Sequence, residues 1–184
     1  MGTSMVQLIP VSELAPGEAA AIRNSVIKGV LTRASAELPM PVDKLVVRDI
    51  RAASDILLYS KGAVHSTIED WSCVTGATTG AYETMATGNN EDQRWIAIFG
   101  VMTSAELSCT ALRFNIGGSD RVIWQLQNLK PGDDDNMVGF CPSGIVIYPN
   151  SPYTISRWVM VGSAPAFILL KGVVIEPRGK VISP

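Results

Sequence analysis

From Val42 to the C-terminus, short runs of β-branched and aromatic residues alternate with clusters of Gly, Pro, Asn, Asp and Ser. That alternation is the mark of strands joined by turns, and it leaves no stretch for the roughly 10–15-residue helical pattern that would alternate with strands in a parallel α/β protein. Strands are expected over 44–50, 56–59, 94–102, 107–116, 121–126, 144–147, 153–161 and 166–175, with a weaker run over 63–74. Leu112, Phe114 and Ile116 alternate with Arg113 and Asn115, so one face of that strand is buried. Gly117-Gly118-Ser119-Asp120 reads as a hairpin turn, where glycine supplies positive φ cheaply. The Gly-, Thr- and Asn-rich stretches 75–88 and 130–139 read as surface loops. Many short strands without intervening helices predict an all-β chain. A jelly-roll-like β-sandwich or barrel is the leading topology, with immunoglobulin-like and other Greek-key sandwiches still open.

Ahead of this block the texture differs. Residues 1–14 have no clear period and read as an arm ordered only against something else. One amphipathic helix follows: Pro16 and Glu18 suit its first turn, and Ile22, Val26, Ile27, Val30, Leu31, Ala34 and Leu38 recur on one face. Arg23, Lys28 and Arg33 lie mainly opposite, and Pro39 and Pro41 end it. Such a helix packs on its own domain or docks on a neighbour; the sequence leaves both open. The expected division is an arm with helix over 1–41 and a β-sandwich over 42–184.

Charge is scarce. Only 17% of the 184 residues are charged and 47% are apolar, with a net charge of −2, against roughly 25% charged in an average soluble domain. Mean hydropathy is +0.22. This balance excludes general disorder, and 15 Lys and Arg against 17 Asp and Glu cannot form a broad nucleic-acid-binding face. Either the core is unusually large or neighbouring chains cover part of the surface. No stretch approaches the roughly 20 apolar residues of a membrane helix; the best, 164–175, is short and carries Lys171. The first residues lack a basic-then-apolar leader, and Val6 stands where a myristoylation signal has Ser or Thr. Cys73, Cys109 and Cys141 are too widely spaced for a zinc site or a disulfide framework. Reduced, buried thiols in a chain made in a reducing cytoplasm are the expectation.

The residues that could carry chemistry are isolated. His65 is the sole histidine, so a cupin-type metal site lacks its ligands. Asp133-Asp134-Asp135-Asn136 offers the oxygens calcium prefers, yet without the alternation of a calcium loop it reads as a solvated turn. Glu69, Asp70, Glu83, Glu91, Asp92 and Glu106 are a pool from which a glycosidase could draw two carboxylates, but nothing sets two across a cleft. No phosphate-binding glycine motif is present. Trp71, Trp95, Trp124 and Trp158 would serve a sugar platform or a core, and the apolar flanks of three of them favour the core. No catalytic residue, metal, cofactor or small-molecule substrate is therefore expected.

Interaction surface is easier to find. The run 166–175 is almost continuously apolar, as a strand buried on both faces or one shared between subunits would be. Tyr148 and Tyr153 flank the rigid turn Pro149-Asn150-Ser151-Pro152, a candidate contact loop. Interface candidates are Val6, Leu8 and Ile9 in the arm, Phe167, Leu169 and Val173 in the apolar run, and Tyr148 and Tyr153.

Three segments share one texture: Ala111-Leu112-Arg113-Phe114-Asn115-Ile116-Gly117-Gly118 leading to Trp124, Ile145-Val146-Ile147-Tyr148-Pro149-Asn150-Ser151-Pro152-Tyr153, and Lys171-Gly172-Val173-Val174-Ile175. Together they resemble the small single-jelly-roll structural proteins of tailed phages and related viruses, the decoration (cement) proteins and minor capsid components. The likeness lies in texture over about half the chain, and the N-terminal helix departs from it. It implies a non-enzymatic virion protein that forms dimers or trimers and seats on a major capsid protein, binding neither nucleic acid nor membrane. A carbohydrate-binding β-sandwich module is the alternative.

Overall fold

Trp95, Ile96, Ala97, Ile98 and Phe99 are consecutive and all buried. In a strand, neighbouring side chains point to opposite faces, so this strand must be covered on both sides. The computed structural model shows how. It describes residues 3–52, 54–56, 59–60, 63–64, 72–74, 78–104, 109–129, 136–161 and 165–180.

In chain order the elements are β1 (Ser4–Gln7), β2 (Ile9–Pro10), α1 (Glu18–Glu37), β3 (Leu45–Asp49), and the short β4 (Tyr59–Ser60), β5 (Ala63–Val64) and β6 (Ser72–Val74). The longer strands follow: β7 (Ala81–Asn89), β8 (Trp95–Ser104), β9 (Cys109–Ile116), β10 (Ser119–Gln125), β11 (Asn136–Ile147), β12 (Pro152–Val159) and β13 (Pro165–Pro177). One sheet, A, has the order β1-β10-β9-β12-β7, and the other, B, has β2-β11-β8-β13-β3. The antiparallel pairs nest: β9 with β10, β8 with β11, β7 with β12 and β3 with β13. This is one long hairpin rolled up, closed by β12 against β9 and β13 against β8. Eight strands in that order make a jelly roll, as expected.

Between the sheets lies a core that includes Ile96, Ile98, Leu112, Phe114, Trp124, Ile155 and Val174. A second core forms on the outer face of sheet B, where Val26, Val30 and Ala34 of α1 meet Trp95, Ala97, Phe99, Phe140, Val173 and Ile175. The helix thus packs on its own subunit. Only those three of its residues are fully buried, at spacing i, i+4, i+8; Ile22, Ile27, Leu31 and Leu38 are half-buried at the flanks. Its first turn is held by the Glu18 carboxylate, which accepts the Ala15 N–H at 2.7 Å.

Three expectations need correction. The stretch 75–88 is not a loop throughout, because Ala81–Asn89 is a strand paired along β12 from Asn89↔Pro152 to Ala81↔Val159. Its Thr and Gly residues suit a strand with one open face, and Gly88 makes room for the Tyr153 ring, whose hydroxyl would lie 2.7 Å from a Cβ there. Likewise the expected loop 130–139 gives way to β11 at Asn136. That strand runs on to Ile147 across Pro142 and Gly144 by means of a bulge between Phe140 and Ile145. Nor does the arm wait for an outside partner. β1 pairs parallel to β10, β2 pairs with β11, and Leu8 between them is buried in the sandwich.

Candidate assembly surfaces

The two sheets present different outer faces. That of sheet B lies under α1. On sheet A, Arg113 stands opposite to the buried Leu112 and Phe114 and therefore points outward. Its guanidinium carbon lies 4.2 Å from the centre of the Tyr82 ring, which meets Trp158 edge-on at 5.0 Å. Arg113 also approaches Asp120 at 3.8 Å, and Asn115 donates to Asp120 at 3.0 Å. The result is a half-buried ladder of aromatic, cationic and acidic groups across β7, β12, β9 and β10. Burial pushes the Tyr82 phenol above its ordinary pKa, and the Arg113 charge pulls against that rise. At the sheet's edge, Met5 of β1 is 65% exposed.

Of the interface candidates from sequence, Leu8, Val173 and Tyr153 lie inside the subunit's own cores and present nothing to a neighbour. Val173 illustrates why: α1 covers the outer face of β13 at Val173 and Ile175, so the end of the apolar run, 172–175, is buried on both faces within one subunit. Val6, Ile9 and Leu169 are half-buried. Tyr148 is half-buried too, under the Arg33 guanidinium at 4.2 Å, and its hydroxyl accepts from Arg33 at 2.8 Å. The side chain of Phe167 lies outside the described residues.

The Pro149–Pro152 turn is tightly pinned. Asn150 adopts a left-handed φ of 56° and donates to Asp92 at 2.9 Å. Behind it the buried Asn90 side chain donates to the carbonyls of Arg94, Ile147 and Tyr148. Asn90 carried no signal in the sequence, since its partners are assembled only by the fold.

A buried charge network was equally invisible. Arg48 grips Asp55 with two bonds of 2.6 and 2.7 Å and Glu176 with one of 3.0 Å. Arg94 reaches Glu176 at 3.0 Å and Glu91 at 3.2 Å. Hydrogen bonding to Asp55 holds the Arg48 guanidinium above its usual pKa. Two fully buried carboxylates, each bonded to arginine, suit a clamp better than proton transfer. Through the Asp55 carbonyl, which accepts from the Tyr153 hydroxyl at 3.3 Å, the clamp on sheet B is tied to sheet A.

Of the acidic pool, Glu83 pairs with Arg157, Glu91 with Arg94, and Asp92 accepts from Asn150. Glu69, Asp70, Glu106, His65, Trp71 and Asp133 to Asp135 lie outside the described residues. Among the described residues no three His, Cys, Asp or Glu side chains group as metal ligands. No described helix is long and apolar enough to cross a membrane. Cys109 and Cys141 are buried free thiols.

Two clefts remain. One of about 450 Å³ lies beside the N-terminal half of α1, near Phe99, Phe140 and Leu169. The other, about 520 Å³, opens between β10 and β11 over Trp124.

No protein family matches the sequence, and neither does any curated protein. Among solved structures, the VP2 subviral particle of infectious bursal disease virus is similar at a TM-score of 0.37 and 16% identity, over 75% of this chain and 34% of that one. A structure of the Gx strain of the same virus is similar at 0.35 and 17%, over 76% of this chain and 33% of that one. The chain thus spans about a third of the length of these structures. The jelly-roll assignment stands on the strand order itself.

Proposed function

We propose that the chain is a non-enzymatic structural subunit of a virus particle, a decoration (cement) protein that associates with copies of itself and seats on a major capsid protein. The observation that carries this reading is the open face of sheet A. Tyr, Trp, Arg and Met are the residues enriched where proteins meet, and here Tyr82, Trp158 and Arg113 form one cluster with Met5 at the edge. The jelly roll, a fold used by capsids and lectins alike, is compatible with that role without establishing it. In the sugar-binding alternative, Tyr82 would stack on a ring; Arg113 already occupies one of its faces.

Light scattering of the purified chain tests the proposal. A dimer or trimer is expected, and Trp158→Ala should shift it toward monomer without unfolding it. A chain that stays monomeric at the highest concentration reached, or whose tryptophan emission responds to sugars, overturns the reading.

A further inference from the structure

Along the sandwich edge where β10 and β11 lie side by side, the arm seals only one half. β1 covers β10 from Val122 to Gln125, β2 covers β11 at Gly139 and Phe140, and Leu8 plugs the space between. Asn128 fixes this plug by donating to the Leu8 carbonyl. Past the arm, β11 bulges away. The bulge depends on Gly144, at φ 59°, where a Cβ would lie 3.0 Å from Val26 and 3.2 Å from the Ile98 carbonyl. The strands part, and the cleft of about 520 Å³ opens there.

Three independent features of the cleft point to an occupant. Trp124 lines it, fully buried, and its indole N–H has no hydrogen-bond partner among the described residues; such a group calls for an acceptor. Both flanking strands keep free edges: no described strand covers β10 before Val122 or β11 after Phe140 on this side. The lining also holds Arg33 and Arg121 but no Asp or Glu. Glu37 engages Arg33 at 2.6 Å. Arg121 donates only its Nε–H, to the Ile116 carbonyl at 3.2 Å, and meets no carboxylate among the described residues.

The arm itself demonstrates what this edge accepts: an extended strand with an apolar side chain driven between the sheets. We propose that the cleft docks an extended, acid-bearing polypeptide segment supplied by another chain. Such a segment adds to a free strand edge. Its apolar residue rests on Ile116, Val122 and Ile145, its carboxylate meets Arg121, and one of its oxygens accepts from the Trp124 indole. A small anion would satisfy the arginine and leave the apolar lining bare. This inference stands apart from the shell reading, because a monomer can capture a peptide equally well.

The probe is a capped, labelled peptide of residues 4–10 bearing Gln7→Glu, titrated into the intact chain and followed by fluorescence anisotropy. Saturable binding is expected, weaker by about threefold for the unsubstituted peptide. Arg121→Glu should weaken binding by about tenfold or more, since it opposes charge to charge, while Arg121→Lys stays within about threefold. Trp124→Phe, which keeps the ring and removes the N–H, should cost about threefold. Absence of binding, indifference to Arg121→Glu, or displacement by sodium acetate overturns the proposal; the last would make the cleft a small-anion site. Sedimentation of the same samples separates the two readings. A monomer that binds the peptide sinks the shell proposal alone, and an assembly that ignores it sinks this one alone.

Discussion

Sheet B packs against apolar layers on both faces, with α1 over the outer one, and sheet A on one. In β8, Ile96 and Ile98 face the sandwich core while Trp95, Ala97 and Phe99 face the helix; in β9 the residues alternate buried and half-buried from Thr110 onward. The difference accounts for much of the chain's low charge. A three-layer body needs apolar residues on both sides of its middle sheet, so a sequence poor in charge can be satisfied inside one subunit. Among the described residues, the large hydrophobic side chains left exposed are Met5, Val11, Val42, Met160 and Val161. Scarce charge by itself therefore does not require a neighbour. The case for assembly moves to where the open face puts its aromatic and arginine side chains.

The contrast is broken most severely at the clamp. Glu176→Ala leaves the buried Arg94 and the half-buried Arg48 beside one missing carboxylate, and removing one partner of a buried pair costs about 3–5 kcal/mol. Asp120→Ala, in the half-buried ladder on sheet A, removes a contact of 3.8 Å to Arg113 and a hydrogen bond of 3.0 Å from Asn115 and should cost about 1–2 kcal/mol. Urea unfolding of the two variants measures the gap. Equal losses would mean that the two sheets do not differ as described.

The next effect is steric. Gly172 of β13 packs so closely on β8 that a Cβ would lie 2.5 Å from the Ala97 carbonyl oxygen, an atom that cannot swing aside. Gly172→Ala should cost about 1–3 kcal/mol. On the open sheet, Gly118 has nothing near a would-be Cβ, but its φ of 76° disfavours alanine. Its substitution should cost about 1 kcal/mol through the backbone alone. Thermal melts resolve the pair, and a Gly172→Ala variant as stable as the parent would show that sheet B is looser than its contacts indicate.

These numbers also show which parts of the fold were legible in sequence. The run ending in Val173-Val174-Ile175 announced two-sided burial because periodicity is local. The choice between helix and neighbour as its cover was not local, since Val26 and Val30 lie far away in the chain. β7 was missed because Ala81-Tyr82-Glu83-Thr84 lacks the apolar alternation that marks a half-buried strand; β12 and the Tyr153 ring specify it. Only the end of β11, 144–147, was expected, because Pro142 and Gly144 interrupt the local strand pattern whereas in the fold they lie in a bulge. At the sites the gap is wider. Arg113 was read as an outward residue, but its meeting with Tyr82, Trp158 and Asp120 depends on strand order. The arginine–carboxylate clamp joins residues up to 128 positions apart.

Smaller still is the effect of losing an aromatic from the open face. Trp158→Ala removes one edge-on contact with Tyr82, and such pairs contribute about 0.5–1.5 kcal/mol beyond their buried area. A two-state denaturation curve should show a modest loss while light scattering shows the larger change, in oligomer size. If stability falls as far as it does for Glu176→Ala, the aromatic pair belongs to the core and the face is not an interface.

The finest test of the comparison is a titration. Burial raises the Tyr82 phenol in the folded state above its unfolded pKa of about 10. With the folded value higher, the unfolded chain loses its proton first as pH rises. The native state then binds more protons than the unfolded one, and stability falls with pH. Tyr82's contribution is therefore complete below about pH 10 and is lost as pH climbs through the folded value. Lysines titrate in the same window, so the measurable quantity is the difference between the parent and Tyr82→Phe. The variant should lose less stability between neutral and strongly alkaline pH, by a small margin because the ring is only half-buried and the Arg113 charge favours the phenolate. If a neighbouring subunit covers the open face in the assembled state, the phenol's deprotonation, followed by its ultraviolet absorbance, should shift further upward on assembly. An identical titration in monomer and assembly would mean that sheet A remains open to water and that neighbouring subunits meet elsewhere.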